Sequence, residues 1–137
     1  MAESKPPLTA ELVWSEELQF DATSGDAALV VDGDGKAGAS PMQLVAVGVA
    51  GCMAADVVSI LQKGRHPMTG LRTTLSAARL PEPPRRFVSL DLHFHLTGAV
   101  PEDAIARAIN LSRDKYCSAW NSLREDIALT TSFTVIP

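Results

Sequence analysis

The 137-residue sequence has few cysteines and few aromatic residues: two cysteines, Cys52 and Cys117, and 5% aromatics. It has no basic stripe, and its formal net charge is −4, so the basic surface that nucleic-acid binding requires is missing. A G-x-S-x-G nucleophile elbow and a glycine-rich phosphate loop are also absent, which argues against serine hydrolase and nucleotide chemistry. The two cysteines are therefore the first candidates for chemistry.

The N-terminal segment Met1–Pro7 is polar and lacks the apolar core of a signal peptide. We therefore expect a cytoplasmic protein whose thiols stay reduced. The longest apolar stretch runs from Leu44 to Leu61, but Asp56 and Ser59 interrupt it, which favours a buried helix over a membrane span. The length predicts one domain over residues 1–137.

Alternation and turn signals predict an α+β fold in which antiparallel sheets accompany a long helix. Ser40, Pro41 and Gln43 form a capping box that opens this helix, which should end at Gly64. Ser15 and Glu16 are predicted to form a tight turn, and Ser118 is predicted to cap a short helix after Cys117. The predicted strands are 8–14, 18–21, 27–31, 71–77, 88–97 and 127–136, and a second helix starts at Pro101.

The long helix has apolar residues on nearly every face from Leu44 to Ala55, so the sequence predicts burial all round. The few strands of one chain cannot cover such a helix on every side. We therefore expect an obligate homodimer whose central helices lie between sheets from both chains.

Cys52 has two interpretations from the residues alone: a small core side chain or a reactive thiol. Asp56 follows four residues later on the same helix face, where its charge would oppose thiolate formation. Cys117 has the same two interpretations. If the two cysteines meet in the fold, they can act as a peroxidatic and resolving pair.

Asp91, His93 and His95 alternate on the polar face of one predicted strand, a spacing that can supply two or three metal ligands. No matching group of ligands occurs elsewhere in the sequence, so a solvated strand face is the preferred interpretation. No metal is predicted.

The sequence resembles the OsmC/Ohr family, the osmotically inducible and organic hydroperoxide resistance proteins, from Leu8 to Ile136, and is most similar to a shorter OsmC-like branch. The resemblance implies an intertwined homodimer and a thiol peroxidase that reduces organic hydroperoxides without metal or flavin. It implies that Cys52 is the peroxidatic thiol, that Cys117 resolves its sulfenic acid, and that a dithiol such as a lipoyl group is the reductant. The matching segments are Ser40-Pro41-x-x-Leu44, Ala50-Gly51-Cys52, Asp56–Leu61, Leu92–Phe94, Thr97-Gly98, Arg107–Ile109, Leu111-Ser112 and Lys115–Cys117.

Two positions depart from the family pattern. Peroxidases of the family carry Glu after the helix-opening proline, where this chain has Met42, and an N-terminal Arg, whereas no Arg here precedes Arg65. Arg65, Lys36 and Lys115 are the candidate substitutes. Two alternatives to an enzyme stay open: a dimeric module that binds an apolar small molecule between its helices, and a thiol redox sensor.

Overall fold

The computed structural model describes residues 5–137 and divides into two compact units, one ending at Val45 and one running from Ala46 to Pro137. Each unit contains a three-stranded sheet, and helices follow both, which confirms the α+β fold class. The segment Met1–Pro7, which argued against a signal peptide, lies partly outside the described residues.

The sheet of the first unit is antiparallel and runs in the order β1 (Glu11–Glu16), β2 (Gln19–Ser24), β3 (Ala27–Asp32). The predicted turn at Ser15 and Glu16 is wrong, because β1 continues through both residues. A bulge between Trp14 and Glu16 accommodates the longer strand. The chain reverses at Glu17, which adopts a φ of 49°.

Asp32 organises the loop between β3 and the long helix. Its side chain is almost fully buried, and its carboxylate accepts hydrogen bonds from the backbone N–H groups of Asp34 (2.8 Å), Lys36 (3.2 Å) and Ala37 (2.9 Å). These bonds, above all the one from Ala37, lower the pKa of Asp32 below its usual 3.8. The fixed loop brings the chain to the start of the helix.

The long helix, α1 (Pro41–Lys63), begins where the sequence predicts. The backbone N–H of Ser40 donates to Oε1 of Gln43 at 2.8 Å, and the backbone N–H of Gln43 donates to Oγ of Ser40 at 3.2 Å. This reciprocal pair confirms the capping box and satisfies two donors that the first turn would otherwise leave unpaired.

Within one chain, α1 is buried along a single stripe. Val49, Met53, Val57 and Leu61 are each at most 1% exposed, whereas Val47 on another face is 65% exposed. Burial on all faces is therefore not achieved by one chain. Among the described residues, α1 is also the one helix long and apolar enough to cross a bilayer by length and composition.

The sheet of the second unit has the order β4 (Met68–Arg79), β5 (Phe87–Gly98), β6 (Ala128–Ile136). Alternate residues of β5 are buried in the core, as the pattern predicts: Leu90, Leu92, Phe94 and Leu96. β4 and β5 pair antiparallel, but β6 pairs parallel to β5, so the expectation of antiparallel sheets is wrong here. The helical connection after β5 returns the chain to the end of the sheet where β5 began, which gives parallel pairing.

This connection contains α2 (Glu102–Leu111), a π-helical turn (Ser112–Tyr116) and α3 (Ser118–Asn121). α2 confirms the helix predicted after Pro101, and it buries Ile105, Ala108 and Ile109. The predicted Ser118 cap of α3 is wrong, because Cys117 is the N-cap. Cys117 has the extended backbone of a capping residue (φ −72°, ψ 100°), and its sulfur accepts the N–H of Trp120.

Candidate active site

Three potentially reactive side chains converge in the second unit: Cys52, Asp56 and Cys117. The two Sγ atoms and one carboxylate oxygen all lie within 4.8 Å of one another. Both cysteines are free thiols; Cys52 is half-buried and Cys117 is fully buried. The structure thus brings together the two cysteines that the sequence singled out, and it adds a carboxylate.

Residues of α1 supply two members of this cluster. Cys52 and Asp56 are four residues apart, so both side chains leave the same face of the helix. The buried stripe formed by Val49, Met53 and Val57 fixes the rotation of α1, because turning the helix would expose these side chains. Packing of α1 therefore sets the direction in which the thiol and the carboxylate point.

The π-helical turn places the third member. The backbone N–H of Cys117 donates to the carbonyl of Ser112 at 2.7 Å, a bond over five residues that widens the helix at its end. The side-chain amide of Asn121 donates to the carbonyls of Arg113 (3.1 Å) and Cys117 (2.8 Å). These bonds hold the irregular backbone that directs Cys117 towards α1.

Asp56 is fixed by a second residue of the same turn. The hydroxyl of Ser112, which is fully buried, donates to Oδ2 of Asp56 at 2.8 Å. This bond links α1 to the π-helical turn next to the two thiols. It also restricts the carboxylate to one orientation, since Ser112 has no solvent alternative.

The environment of Cys117 favours its protonated form. The pKa of the Cys117 thiol is raised to about 11, chiefly by burial and also by the nearby Cys52 and Asp56, although the N–H of Trp120, 3.3 Å from the sulfur, acts in the opposite direction. The thiol of Cys117 is thus almost entirely protonated at neutral pH.

A cavity of about 490 Å³ borders Asp56. Its walls combine apolar side chains with two cations, and Tyr116, the residue before Cys117, is also part of its lining. Such a mixture suits a molecule with an apolar body and a polar or anionic end. The lining residues are Asp56, Ser59, Ile60, Lys63, Gly64, Arg107, Leu111 and Tyr116.

A second cavity, of about 510 Å³, lies along the uncovered face of α1. It is lined by small and apolar residues, which are Val47, Ala50, Gly51, Ala54, Ala55, Val58, Leu71 and Thr73. This face has the character that the alternative prediction of an apolar-ligand module requires.

The three cations suggested as substitutes for the missing arginine do not join the thiol cluster as salt-bridge partners. In residues 5–137 the salt bridges pair Arg86, Arg113 and Arg124 with Asp114 or Asp126. Lys115 instead lies over the ring of Tyr116, with Nζ 5.3 Å from the centroid.

The polar strand face of Asp91, His93 and His95 is not assembled as a metal site. His93 bonds to the hydroxyls of Ser132 (2.6 Å) and Thr134 (3.3 Å), and His95 lies 3.4 Å from the latter hydroxyl. Over the described part of the chain, the one group of three potential metal-binding side chains is Cys52, Asp56 and Cys117.

Sequence reasoning missed two parts of the site. The cavity cations Lys63 and Arg107 lie on different helices, and nothing in their local sequence marks them as partners. The Ser112–Asp56 bond was missed because the π-helical turn that makes it has no recognised sequence signature. The four-residue spacing of Cys52 and Asp56 was the one usable signal.

Comparisons with known proteins give consistent matches. The model of the family described as OsmC-like protein matches residues 33–132. Protein YhfA of Escherichia coli (strain K12) is 39% identical over 132 residues, which cover 94% of this chain and 98% of YhfA.

Solved structures share the fold over almost the whole chain. A hypothetical protein from Aquifex aeolicus VF5 aligns with a TM-score of 0.89 and 26% identity, covering 96% of this chain and 98% of that one. An organic hydroperoxide resistance protein OsmC from Legionella pneumophila aligns with a TM-score of 0.68 and 16% identity, covering 97% of this chain and 100% of that one.

Proposed function

This chain belongs to the family of OsmC-like proteins, and from that premise we propose that it is a thiol peroxidase that reduces organic hydroperoxides. The observation that supports this most is the approach of Cys52 and Cys117, whose sulfurs lie within 4.8 Å beside a cavity with an apolar wall. Proteins with the same fold include one named for organic hydroperoxide resistance, which agrees with a role in oxidative stress.

In the first step of the proposed reaction, the thiolate of Cys52 attacks the distal oxygen of the hydroperoxide. A sulfur–oxygen bond forms, the oxygen–oxygen bond breaks, and the leaving alkoxide takes up a proton to give an alcohol. The sulfur loses two electrons and becomes a sulfenic acid. Cys52 suits this step better than Cys117, because it is half-buried and not fully buried.

In the second step, the sulfur of Cys117 attacks the sulfenic acid of Cys52. The disulfide forms, and the hydroxyl leaves as water after taking up a proton. The proton of the Cys117 thiol must depart during this attack, and the carboxylate of Asp56, within 4.8 Å of the sulfur, is the nearest acceptor in the cluster. The two sulfurs must close from within 4.8 Å to about 2.05 Å for the disulfide to form.

The disulfide must then be reduced by a dithiol, which becomes a disulfide and restores both thiols. We propose a lipoyl-type dithiol as the reductant and the cytoplasm as the compartment, since thiols are kept reduced there. The organic part of the substrate would occupy the cavity of about 490 Å³, with any anionic end near Lys63 and Arg107.

We propose that the working form is a homodimer in which a second copy covers α1. The argument rests on the apolar surface that one chain leaves exposed. Val47 on α1 is 65% exposed, and Trp14 and Val13 on β1 are 64% and 54% exposed. Exposed apolar residues in this number are typical of protein–protein interfaces.

The test measures consumption of cumene hydroperoxide with dihydrolipoamide as reductant. We expect wild type to turn over repeatedly and Cys52→Ser to be inactive. With the reductant left out, Cys117→Ser should consume one equivalent and accumulate a sulfenic acid that dimedone traps. Ser122→Ala, which alters an exposed hydroxyl, serves as the matched control and should behave as wild type.

The proposal fails if Cys52→Ser consumes hydroperoxide at the wild-type rate. It also fails if Cys52 in wild type is oxidised no faster than a free thiol. Circular dichroism of each variant separates loss of chemistry from loss of fold.

A second candidate function is supported by the cavity of about 510 Å³ along α1. In this alternative the chain binds an apolar small molecule there and the thiols only line the core. It predicts no hydroperoxide consumption by wild type and saturable binding of an apolar dye. Gly51→Leu, which fills the cavity, should then abolish dye binding.

A further inference from the structure

The cluster of Cys52, Asp56 and Cys117 has the composition of a metal-binding site. Zn²⁺ binds thiolates at about 2.3 Å and carboxylates at about 2.0–2.2 Å, so tetrahedral ligand atoms are about 3.5–3.8 Å apart. Here the three ligand atoms lie within 4.8 Å of one another. A contraction of at most about 1.0–1.3 Å, which side-chain rotation supplies, would bring them to coordination distance.

The elements that carry the three side chains are suited to hold an ion. Cys52 and Asp56 are at i and i+4 on α1, the spacing with which pairs of metal ligands are presented by one helix. Cys117 comes from a separate segment whose backbone is fixed by the bonds of Asn121. Because two ligands lie on a helix and the third on a rigid turn, metal binding would cost little conformational entropy of the backbone.

Two ligands already have outer hydrogen bonds of the kind that support metal sites. Ser112 donates a hydrogen bond to Oδ2 of Asp56, so Oδ1 does not share this donor and is the oxygen that would bind the metal. The N–H of Trp120 donates to the sulfur of Cys117. Such bonds orient a ligand and stabilise its negative form. The cavity that borders Asp56 has room for a water molecule as fourth ligand.

A divalent cation also matches the charge that the cluster acquires when metal binding displaces the two thiol protons. The three side chains then carry three negative charges, and no salt bridge found between Lys5 and Pro137 includes Asp56. Bringing a divalent cation among them would remove most of this repulsion.

We propose that Cys52, Asp56 and Cys117 of the reduced protein bind one thiolate-preferring divalent cation, such as Zn²⁺. Metal binding and disulfide formation exclude each other, because both use the same sulfur lone pairs. The ion therefore protects the thiols from oxidation and blocks any reaction at Cys52. This inference rests on the separation of the three side chains and not on peroxidase activity.

The experiment titrates the reduced full-length protein with CdCl₂ and follows the thiolate-to-cadmium charge-transfer absorption in the near ultraviolet, with Zn²⁺ as competitor. We expect one ion per chain. Asp56→Asn should weaken binding by at least ~10-fold and Ser112→Ala by about 10-fold, the range for loss of metal-supporting groups. Asp91→Asn, an exposed carboxylate in the same unit, is the matched control and should bind as wild type.

Cys117→Ser and the oxidised wild-type protein should both lose the band. The inference is overturned if wild type gives no band, if Asp56→Asn binds as tightly as Asp91→Asn, or if the oxidised protein binds as well as the reduced one. Because no hydroperoxide is present, the result is independent of the proposed peroxidase reaction.

Discussion

The hydrogen bond from Ser112 to Asp56 links the long helix to the turn that carries Cys117, and Ser112→Ala tests what this link contributes. The serine is fully buried, and its hydroxyl lies 2.8 Å from Oδ2 of Asp56. Alanine removes the donor without adding bulk, and the half-buried carboxylate then lacks this partner. Hydrogen bonds to charged groups contribute about 1.5–3 kcal/mol, so we expect a loss of that size in the free energy of unfolding.

Urea denaturation at a fixed protein concentration measures this loss. With an m-value of about 1–3 kcal/mol per molar, the transition midpoint should fall by about 1 M. Ser122→Ala is the matched control, because its exposed hydroxyl donates to the carbonyl of Ser118 at 2.7 Å. We expect the control to shift the free energy of unfolding by less than about 0.5 kcal/mol.

A double-mutant cycle with Asp56→Asn isolates the pair. If the two side chains act together, the double variant should lose clearly less stability than the two single losses added. Equal stability of Ser112→Ala and the control, or strictly additive losses, would show that Ser112 does not hold Asp56 and that the carboxylate next to the thiols is not positioned by it.

Four further changes test other parts of the molecule. Gly98→Ala should lower the free energy of unfolding by more than about 2 kcal/mol in thermal melts, because Gly98 has a φ of 130° and a Cβ there would meet the carbonyl of Pro67. Gly51→Ala should weaken the proposed dimer in light scattering, because one chain leaves open space at Gly51 and a second copy would pack its helix there. If the variant is more stable and its molar mass is unchanged, the two helices do not pack closely at this glycine. The Asp32 carboxylate has a lower pKa in the folded protein than its unfolded value of 3.8, so its ionised form stabilises the fold at pH values above 3.8. This contribution is lost as the pH falls through the folded pKa, and Asp32→Asn should therefore make the loss of stability below pH 4 less steep. Arg107→Gln should raise KM about tenfold for a carboxylate-bearing hydroperoxide and leave cumene hydroperoxide unaffected; equal effects on both would remove Arg107 from anion binding.

The features predicted correctly from the sequence are those that nearby residues determine. The capping box depends on Ser40 and Gln43, three positions apart, and it appears in the structure with both hydrogen bonds. The alternation of β5 was readable because one face of the strand is buried and the other is polar. The sequence segments around Cys52 and Cys117 were also sufficient to indicate the family.

The features that were missed depend on contacts between distant segments. The parallel pairing of β6 follows from the path of the chain through α2 and α3, which no periodicity in β6 reveals. The approach of Cys52 to Cys117 depends on the π-helical turn. This turn was not predicted because the same residue types occur in a regular α-helix and in a π-helical turn. The cations at the cavity, Lys63 and Arg107, become neighbours only after both helices are in place.

The widened turn at Ser112–Tyr116 makes the position of Cys117 sensitive to chain length as well as to residue type. A regular α-helix advances about 100° per residue, so deleting one residue between Leu111 and Tyr116 would swing the following sulfur by roughly that angle about the helix axis. A single codon gained or lost could thus uncouple the two thiols while every side chain of the cluster is retained. In related chains, an alignment gap at this turn would be as informative about chemistry as a replaced cysteine.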